Sequence, residues 1–468
     1  MPLTKEQSDL LKGIYQSLPE KEPLEPGDPR YEPLYERAGY SAQDPVTLLG
    51  QTIEWNITES LQLFSGFRGS GKTTELFRLR QRLREQGYIV LYANASDYLP
   101  QGDVVDITPF LLAVAGAFSD ALERDLKIEL GDQSVWERFR RYLTKTQIKL
   151  EGMDFSPGPD LGIKFRTQIR ESPGFRQELA AFSEHNIASL RAEAVAFIDE
   201  RVKAIRGAYT KDRDKGIVFL FDNLEQIRGS RTNEIVVTES VTRLFNLYYP
   251  RMFELPGVHA IYTVPPWLKF AAPNAGKITL LPCVHLWGND GGRTPDPAGF
   301  AMLRSLVHRR FGEEGYRTCF GDDGQELQHL IDSCGGHVTD LLYLLRETLL
   351  RTKVAEQLPV TPATVDLAIA AVRGNFLPIA VDDAHWLQEI ARHRTTALKS
   401  REPEDVQRLT LFLDTHFVLY FKNGEEWYDI HPLIREAVDR ICGQFPRPAT
   451  TPAPSAPATP AAPSEAPV

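Results

Sequence analysis

The chain reads as an α/β protein: a parallel five-stranded sheet wrapped by helices, then a helical segment, then a small unit of helices and a β-hairpin. Three observations predict it. Residues Gly216 to Asp222 (Gly-Ile-Val-Phe-Leu-Phe-Asp) hold five consecutive apolar residues, too short for a helix and suited to a strand covered on both faces of a parallel sheet. Residues Ser60 to Ser65 alternate like a strand and run through a glycine-rich turn into a helical pattern reaching about Glu85. Beyond the last strand, apolar residues fall at helical spacing until Asn423-Gly424, a two-residue turn between alternating runs, marks a hairpin.

Composition bounds the rest. The 468 residues are 42% hydrophobic and 25% charged, which suits about three domains at roughly 150 residues each and excludes wholesale disorder. No apolar run approaches the roughly 18 residues of a membrane span. The N-terminus lacks the apolar stretch of a signal peptide, so a cytoplasmic protein with no membrane partner is expected. A net charge of −10, from 53 basic against 63 acidic residues, argues against a general nucleic-acid or anionic-membrane surface. Cys283, Cys319, Cys334 and Cys442 lie far apart, with no Cys-x-x-Cys and no histidines at ligand spacing, and read as thiols of a reducing compartment.

Prolines mark the two ends. Seven fall in the first 45 residues, which suggests a short helix and an extended arm over 1–45. Eight fall in the 23 residues from Pro446 to Val468, among Thr, Ala and Ser. Such a segment buries too little surface to offset its ordering entropy, so a disordered tail over 446–468 is expected, a polyproline ligand being the functional alternative. No internal repeat interrupts the chain between them.

The glycine-rich turn carries the most specific chemistry. Gly66, Phe67, Arg68, Gly69, Ser70, Gly71, Lys72, Thr73 and Thr74 fit G-x-x-x-x-G-K-T between a strand and a helix, the pattern of a phosphate-binding loop. Glycines let backbone N–H groups turn inward around phosphates. Lys72 is then expected on the β and γ phosphates of ATP, and the Thr73 hydroxyl on Mg²⁺.

Such a site needs an acid on a second strand. Asp222, ending the apolar run, is the expected Walker B metal ligand. Glu225 is the candidate for polarising the attacking water; its alternative role is to open the next helix, where an acid suits the dipole. A further strand, Val258 to Thr263, presents Thr263 at its C-terminal end, where a polar residue can sense the γ-phosphate because ligands sit outside those strand ends; a Thr chosen for β propensity is the alternative. Gly87 to Ala93 and Ile278 to Leu286 complete the five strands.

More than 100 residues separate the second strand from Walker B, far beyond a usual crossover. This insertion, about 100–212, should hold a helix from Pro109 to Glu123, a hairpin over Ile148 to Phe165 around Ser-Pro-Gly-Pro, and a long helix capped by Ser172-Pro173. Phe175, Leu179, Phe182, Leu190, Phe197, Val202 and Ile205 make an apolar stripe along that helix, to be buried against the core or a partner.

After the sheet, amphipathic helices are expected at 297–312, 325–333, 337–353 and 362–373, the makings of a lid over 287–375. Two helices, 383–394 and 403–414, then precede the Asn423-Gly424 hairpin, which suggests a winged helix over 376–445. The whole is a P-loop NTPase with a parallel five-stranded sheet over 46–286, followed by an α-helical lid and a winged-helix domain.

Together these motifs resemble the STAND and origin-recognition branches of the AAA+ class of P-loop ATPases, over roughly residues 46 to 442. Ordinary AAA+ ATPases end Walker B in adjacent Asp-Glu, whereas Asp222 is followed by Asn223 and the next acid is Glu225, a spacing similar to that of STAND proteins. Thr339 stands where origin-recognition relatives carry a lid arginine. His431, in Tyr428-Asp-Ile-His431-Pro432-Leu433, resembles the histidine that in STAND winged helices contacts the β-phosphate of ADP; a packed or capping histidine is the other reading.

The resemblance implies a regulated ATP-binding and ATP-hydrolysing switch, cytoplasmic and able to form a homo-oligomer, acting on an effector or sensor protein in a bacterial conflict, antiphage or signalling system. The alternatives are a DNA-transacting AAA+ ATPase and a non-hydrolysing scaffold. Against DNA, the candidate recognition helix carries Glu404, Asp405 and Asp414 against Arg408, and the wing Glu425 and Glu426 against Lys422. Arg392, His393, Arg394, Lys399 and Arg401 form a basic cluster, read as a solvated turn.

Overall fold

The computed structural model of the chain describes residues 2–19, 22–36, 44–127, 134–145, 160–208, 215–229, 232–290, 292–400 and 402–446. Its elements follow in order: α1 (Lys5–Gln16), α2 (Pro45–Trp55), β1 (Ser60–Gly66), α3 (Lys72–Glu85), β2 (Ile89–Asn94), α4 (Ile107–Leu126), α5 (Val135–Lys145), α6 (Leu161–Glu171), α7 (Pro173–Ala208), β3 (Ile217–Asp222), α8 (Glu234–Tyr248), β4 (Val258–Val264), α9 (Leu268–Ala271) and β5 (Ile278–Leu281). The second half continues with α10 (Pro297–Phe320), α11 (Gln325–Cys334), α12 (Val338–Ala355), α13 (Pro362–Gly374), α14 (Val381–His393), α15 (Pro403–Asp414), β6 (Val418–Asn423), β7 (Glu425–Ile430) and α16 (Pro432–Gln444). This is the expected α/β architecture, a P-loop sheet followed by a helical lid and a winged helix. Among the described residues no helix is long and apolar enough to cross a membrane.

The five strands pair in parallel in the order β2-β3-β4-β1-β5. Every residue of β3 and β4 is buried, the condition for central strands covered on both faces. The order puts β4 between the P-loop strand and the Walker B strand, in register Phe64↔Thr263 on one side and Phe221↔Tyr262 on the other. The C-terminal ends of β1, β3 and β4 therefore share one edge, where ligands of such sheets bind.

The insertion packs on this sheet. Helix α4 is buried along most of its length, with Phe118 edge-on to Phe219 of β3 at 5.6 Å and Phe110 against Phe253 at 4.7 Å. Helix α7 runs for 36 residues from the expected Ser172 cap, whose hydroxyl accepts the Phe175 N–H. Phe175, Leu179, Leu190, Phe197, Val202 and Ile205 are all buried, and α7 packs on α4. The stripe is thus consumed by the core, at about 1.5–3 kcal/mol for each large side chain. The Phe182 side chain lies outside the described residues.

The hairpin expected over Ile148 to Phe165 is corrected. Residues 146–159 lie outside the described residues, but Leu161 to Glu171 is helix α6. Leu161, Phe165 and Ile169, four residues apart, are its buried face, and Phe165 stacks on Trp136 at 5.5 Å. Helical period wins there over the turn signal upstream. The tail expected from Pro446 onward likewise falls, after its first residue, outside the described residues.

Lid and winged helix close over the sheet edge. In α10 the helix breaks at Gly312 (φ 68°, ψ 168°). The extended chain after β5 runs between the two units: Cys283 N–H donates to Tyr420 of β6 at 2.9 Å, and Val284 N–H to Gly336 at 3.1 Å. The N-terminal arm crosses from lid to P-loop helix. Arg346 of α12 holds Leu18 carbonyl at 3.0 Å and Tyr15 hydroxyl at 2.7 Å, while Leu24 N–H reaches Thr74 Oγ1 at 3.1 Å. All four cysteines are buried.

At Gly336, φ is +85° and an added Cβ would stand 1.8 Å from the Val284 carbonyl oxygen. Gly336→Ala is expected to cost about 3 kcal/mol or more, from left-handed strain plus the clash. In contrast, Gly13→Ala, in α1 with nothing within 4 Å of the new methyl, should gain about 0.5–1 kcal/mol. Urea unfolding midpoints of the two variants check both signs.

Candidate nucleotide site at the carboxyl edge of the sheet

The loop leaving β1 turns on Gly69 (φ 75°) and Gly71 (φ 92°), and helix α3 begins at Lys72 without a side-chain cap. An added Cβ at Gly71 meets nothing within 4 Å, so its constraint is the dihedral, and the space beside it stays open. The uncapped N–H groups of α3 face an anion's natural position. Phe67 is buried as a loop anchor, Arg68 is exposed and Ser70 is buried, its Oγ without a hydrogen-bond partner.

Five predicted residues meet at this edge. Lys72, buried, places Nζ 3.0 Å from the Gly66 carbonyl, 3.1 Å from that of Phe67 and 2.9 Å from Glu225 Oε1. The Thr73 hydroxyl donates to Asp222 Oδ2 at 2.7 Å. The Thr263 hydroxyl donates to Glu225 Oε2 at 2.9 Å and accepts the Asn223 N–H at 2.7 Å. Asp222 is fully buried; burial, then the nearby Glu225 carboxylate, push its carboxyl up against the Thr73 hydrogen bond and the Lys72 charge.

Local backbone explains how an acid three residues past Asp222 reaches the lysine. Asn223 sits in the left-handed region (φ 70°), and a single 3₁₀ turn, Leu224–Gln226, carries Glu225 back over the strand end. Of the loop's nine residues, Thr74 is turned away: its hydroxyl accepts the Leu24 N–H of the N-terminal arm.

The lid meets the loop directly. The Thr339 hydroxyl donates to the Gly69 carbonyl at 2.6 Å, and His337 Nε2 lies 2.9 Å from the Arg68 carbonyl. Thr339 was legible as the residue standing in for an arginine; Tyr92, whose hydroxyl donates to Asp222 Oδ2 at 3.1 Å, and His337 were not. His431 caps α16, its Nδ1 accepting Leu433 N–H at 3.2 Å, and its ring stacks near Phe376 at 4.8 Å. Its Nε2 lies 3.3 Å from Asp340, so its partners are winged-helix and lid groups and none belongs to the loop.

The winged helix faces the ATPase unit through ion pairs. Asp414, at the end of α15, pairs with Arg228 at 3.0 Å, and Glu426 of β7 with Lys269. Arg408 is held by Asp383, Arg392 and His393 by Glu389, and Arg394 by Asp429. Arg392, His393 and Arg394 of the basic cluster are thus matched by acids; Arg401 lies outside the described residues.

No family model matches the chain, and no curated protein does. Solved structures of low identity resemble it. The chain is similar to a Drosophila ORC structure bound to DNA (14% identity, 94% of this chain and 93% of the other, TM-score 0.37). It is similar also to the Aeropyrum pernix ORC2 protein in its ADP form (11%, 92% and 97%, TM-score 0.41) and to Cdc6p from Pyrobaculum aerophilum (12%, 92% and 98%, TM-score 0.34). These are proteins of the origin-recognition branch named above. The fold stands on the strand order, the loop and the lid described here.

Asp414 supplies a pH test of the closed arrangement. Burial raises its carboxyl from 3.8 to about 6, with Arg228 opposing and Glu234 adding to the rise. The folded value lies above the unfolded one, so the protonated acid favours the fold: that contribution is complete below 3.8 and is lost as pH rises through about 6. Asp414→Asn, neutral throughout, should be more stable than wild type near neutral pH by about 1–3 kcal/mol, and the difference should vanish in acid. Urea titrations across pH check the slope.

Proposed function

We propose that the protein is an ATP-operated switch, with the nucleotide bound at the sheet edge between loop and lid. The observation that carries it is the double pairing of Lys72 with Glu225 and Thr73 with Asp222. The ammonium and hydroxyl that phosphates and a metal would engage are held by Glu225, in the turn after β3, and by Asp222, the last residue of β3. Phosphate oxygens compete with Glu225 for Lys72, so binding frees a carboxylate that Thr263 keeps oriented toward the same edge.

Thr73 and Asp222 offer oxygen donors to one point, which suits a hard cation such as Mg²⁺. When bound, magnesium supplies charge neutralisation on the β and γ oxygens. Asp222 and Thr73 hold that position, Lys72 takes the phosphate charge, and Glu225 accepts the proton of the attacking water. Hydrolysis is part of this reading, and a non-hydrolysing scaffold is what remains without it.

The switch reading rests on differential contact, since a ligand biases two states only by interacting differently with them. The lid touches the loop at Arg68 and Gly69, and the winged helix touches the segment after Walker B at Arg228. In this proposal an ATPase core over 46–286, a lid over 287–375 and a winged helix over 376–445 change their docking with nucleotide. The output is directed at an effector or sensor protein, with homo-oligomers and a bacterial conflict, antiphage or signalling role following from the STAND resemblance alone. A DNA-transacting role is less favoured: Asp414 of α15 and Glu426 of the wing pair with the ATPase unit, and Arg392, Arg394 and Arg408 are held by acids. A salt-dependent gel shift at low ionic strength would restore it.

Nucleotide affinity and phosphate release test the reading together. Lys72→Ala should weaken ATP binding by about 10- to 100-fold, as loss of a charge-assisted hydrogen bond does. Glu225→Gln should bind ATP at least as tightly as wild type, because a competitor for Lys72 is gone, and hydrolyse it about 100-fold more slowly or worse. Equal background turnover in wild type and Glu225→Gln would leave only the scaffold.

A further inference from the structure

Asp340 lies in the first turn of α12, buried, and three imidazoles converge on its Oδ2: His337 Nδ1 at 2.8 Å, His416 Nδ1 at 3.2 Å and His431 Nε2 at 3.3 Å. The groups come from different units. His337 and Asp340 belong to the lid, His416 to the turn between α15 and β6, and His431 to the N-cap of α16. His337, Asp340 and His416 each offer a ligand atom, and these atoms all lie within 4.8 Å of one another. Donors bound to one first-row ion at about 2.0–2.2 Å stand roughly 3.3–3.5 Å apart in a tetrahedral arrangement, so the cluster needs little adjustment to meet around an ion.

The outer hydrogen bonds assign the ring nitrogens. The Arg68 carbonyl can only accept, so His337 Nε2 carries a proton; in the neutral ring the Nδ1 lone pair faces the cluster, with only a long cap bond, 3.4 Å, from the Asp340 N–H upon it. A histidine whose second nitrogen donates to a backbone carbonyl has the usual support of a metal ligand. His431 Nδ1 accepts the Leu433 N–H, so its Nε2 carries the proton and faces the carboxylate as an outer partner. His416 Nε2 is buried and finds no hydrogen-bond partner among the described residues.

A lone pair on His337 cannot face a carboxylate oxygen at 2.8 Å without positive charge between them. Two protonated rings would repel, because the His337 and His416 centroids are 4.1 Å apart. One divalent cation satisfies both rings and the carboxylate at once. Nitrogen and oxygen donors without thiolate suit a borderline transition ion over calcium or magnesium.

We propose that His337, Asp340 and His416 bind a divalent transition-metal ion of the zinc class, supported by His431, which staples the winged helix to the lid beside the phosphate loop. The three protein ligands leave a fourth position for water. Since His337 also holds the Arg68 carbonyl, occupancy of the metal site bears on the geometry of the loop.

The test uses the full chain, stripped with a chelator and titrated with zinc sulfate against a chromophoric competitor, with metal content and melting temperature measured in parallel. Roughly one zinc per chain is expected, with a melting temperature that rises with zinc concentration as for any native-state ligand. His416→Gln should lose about 100-fold or more in zinc affinity, and His431→Gln about 10-fold, the effect of an outer partner. Cobalt in place of zinc should give a ligand-field spectrum in wild type that His416→Gln lacks. Substoichiometric zinc in wild type, or equal affinity in wild type and His416→Gln, would overturn the proposal. So would a melting temperature that follows pH but ignores zinc, since the charge in the cluster would then be protons.

Discussion

A buried ammonium must find a negative partner, and Lys72 finds it in Glu225. Removing one member of such a pair leaves an uncompensated charge, at about 3–5 kcal/mol, so the loop, the strand end and the turn after it are held as one unit. The constraint explains details that otherwise look incidental. Asn223 takes the left-handed conformation and the 3₁₀ turn follows because only that path carries Glu225 back to the lysine. Thr263 is needed at the end of β4 because the second oxygen of Glu225 is buried too and requires a donor. The strand order, in turn, is what puts β4 between β1 and β3.

Around this charged centre the contacts differ in kind. Loop and lid meet through neutral groups, a threonine hydroxyl and a backbone carbonyl, whereas winged helix and ATPase unit meet through ion pairs. Hydrogen bonds to carbonyls depend on position and little on charge; ion pairs depend on what other charges are near. At Asp340, burial alone would raise the carboxyl, but the imidazoles of His337, His416 and His431 outweigh it and hold the acid well below the usual range. That cluster joins the lid to the winged helix at one residue's remove from the loop.

Much of the site was legible because its signals are local. A glycine loop between strand and helix, an apolar run ending in aspartate, and an Asn-Gly hairpin each fit within a dozen residues, where backbone dihedrals and burial on both faces restrict the choice of residue. The lid helices were legible by period. The hairpin misread near residue 160 has the opposite cause. Gly162 lies so close to Trp136 that an added Cβ would stand 2.8 Å from the indole, and that contact, made across the insertion, packs the helix that the Leu161, Phe165 and Ile169 period forms.

The amino-acid sequence alone determined the sheet, the glycine loop between strand and helix, and the succession of core, lid and winged helix, since period, turn residues and apolar runs act over a few neighbours. Only the tertiary structure decided which side chains meet. The turn after β3 brings Glu225 to Lys72. His337, His416 and His431 showed no ligand spacing in the chain, yet packing of lid against winged helix brings them to one carboxylate. Those meetings depend on contacts between residues far apart in sequence, and no local pattern encodes them.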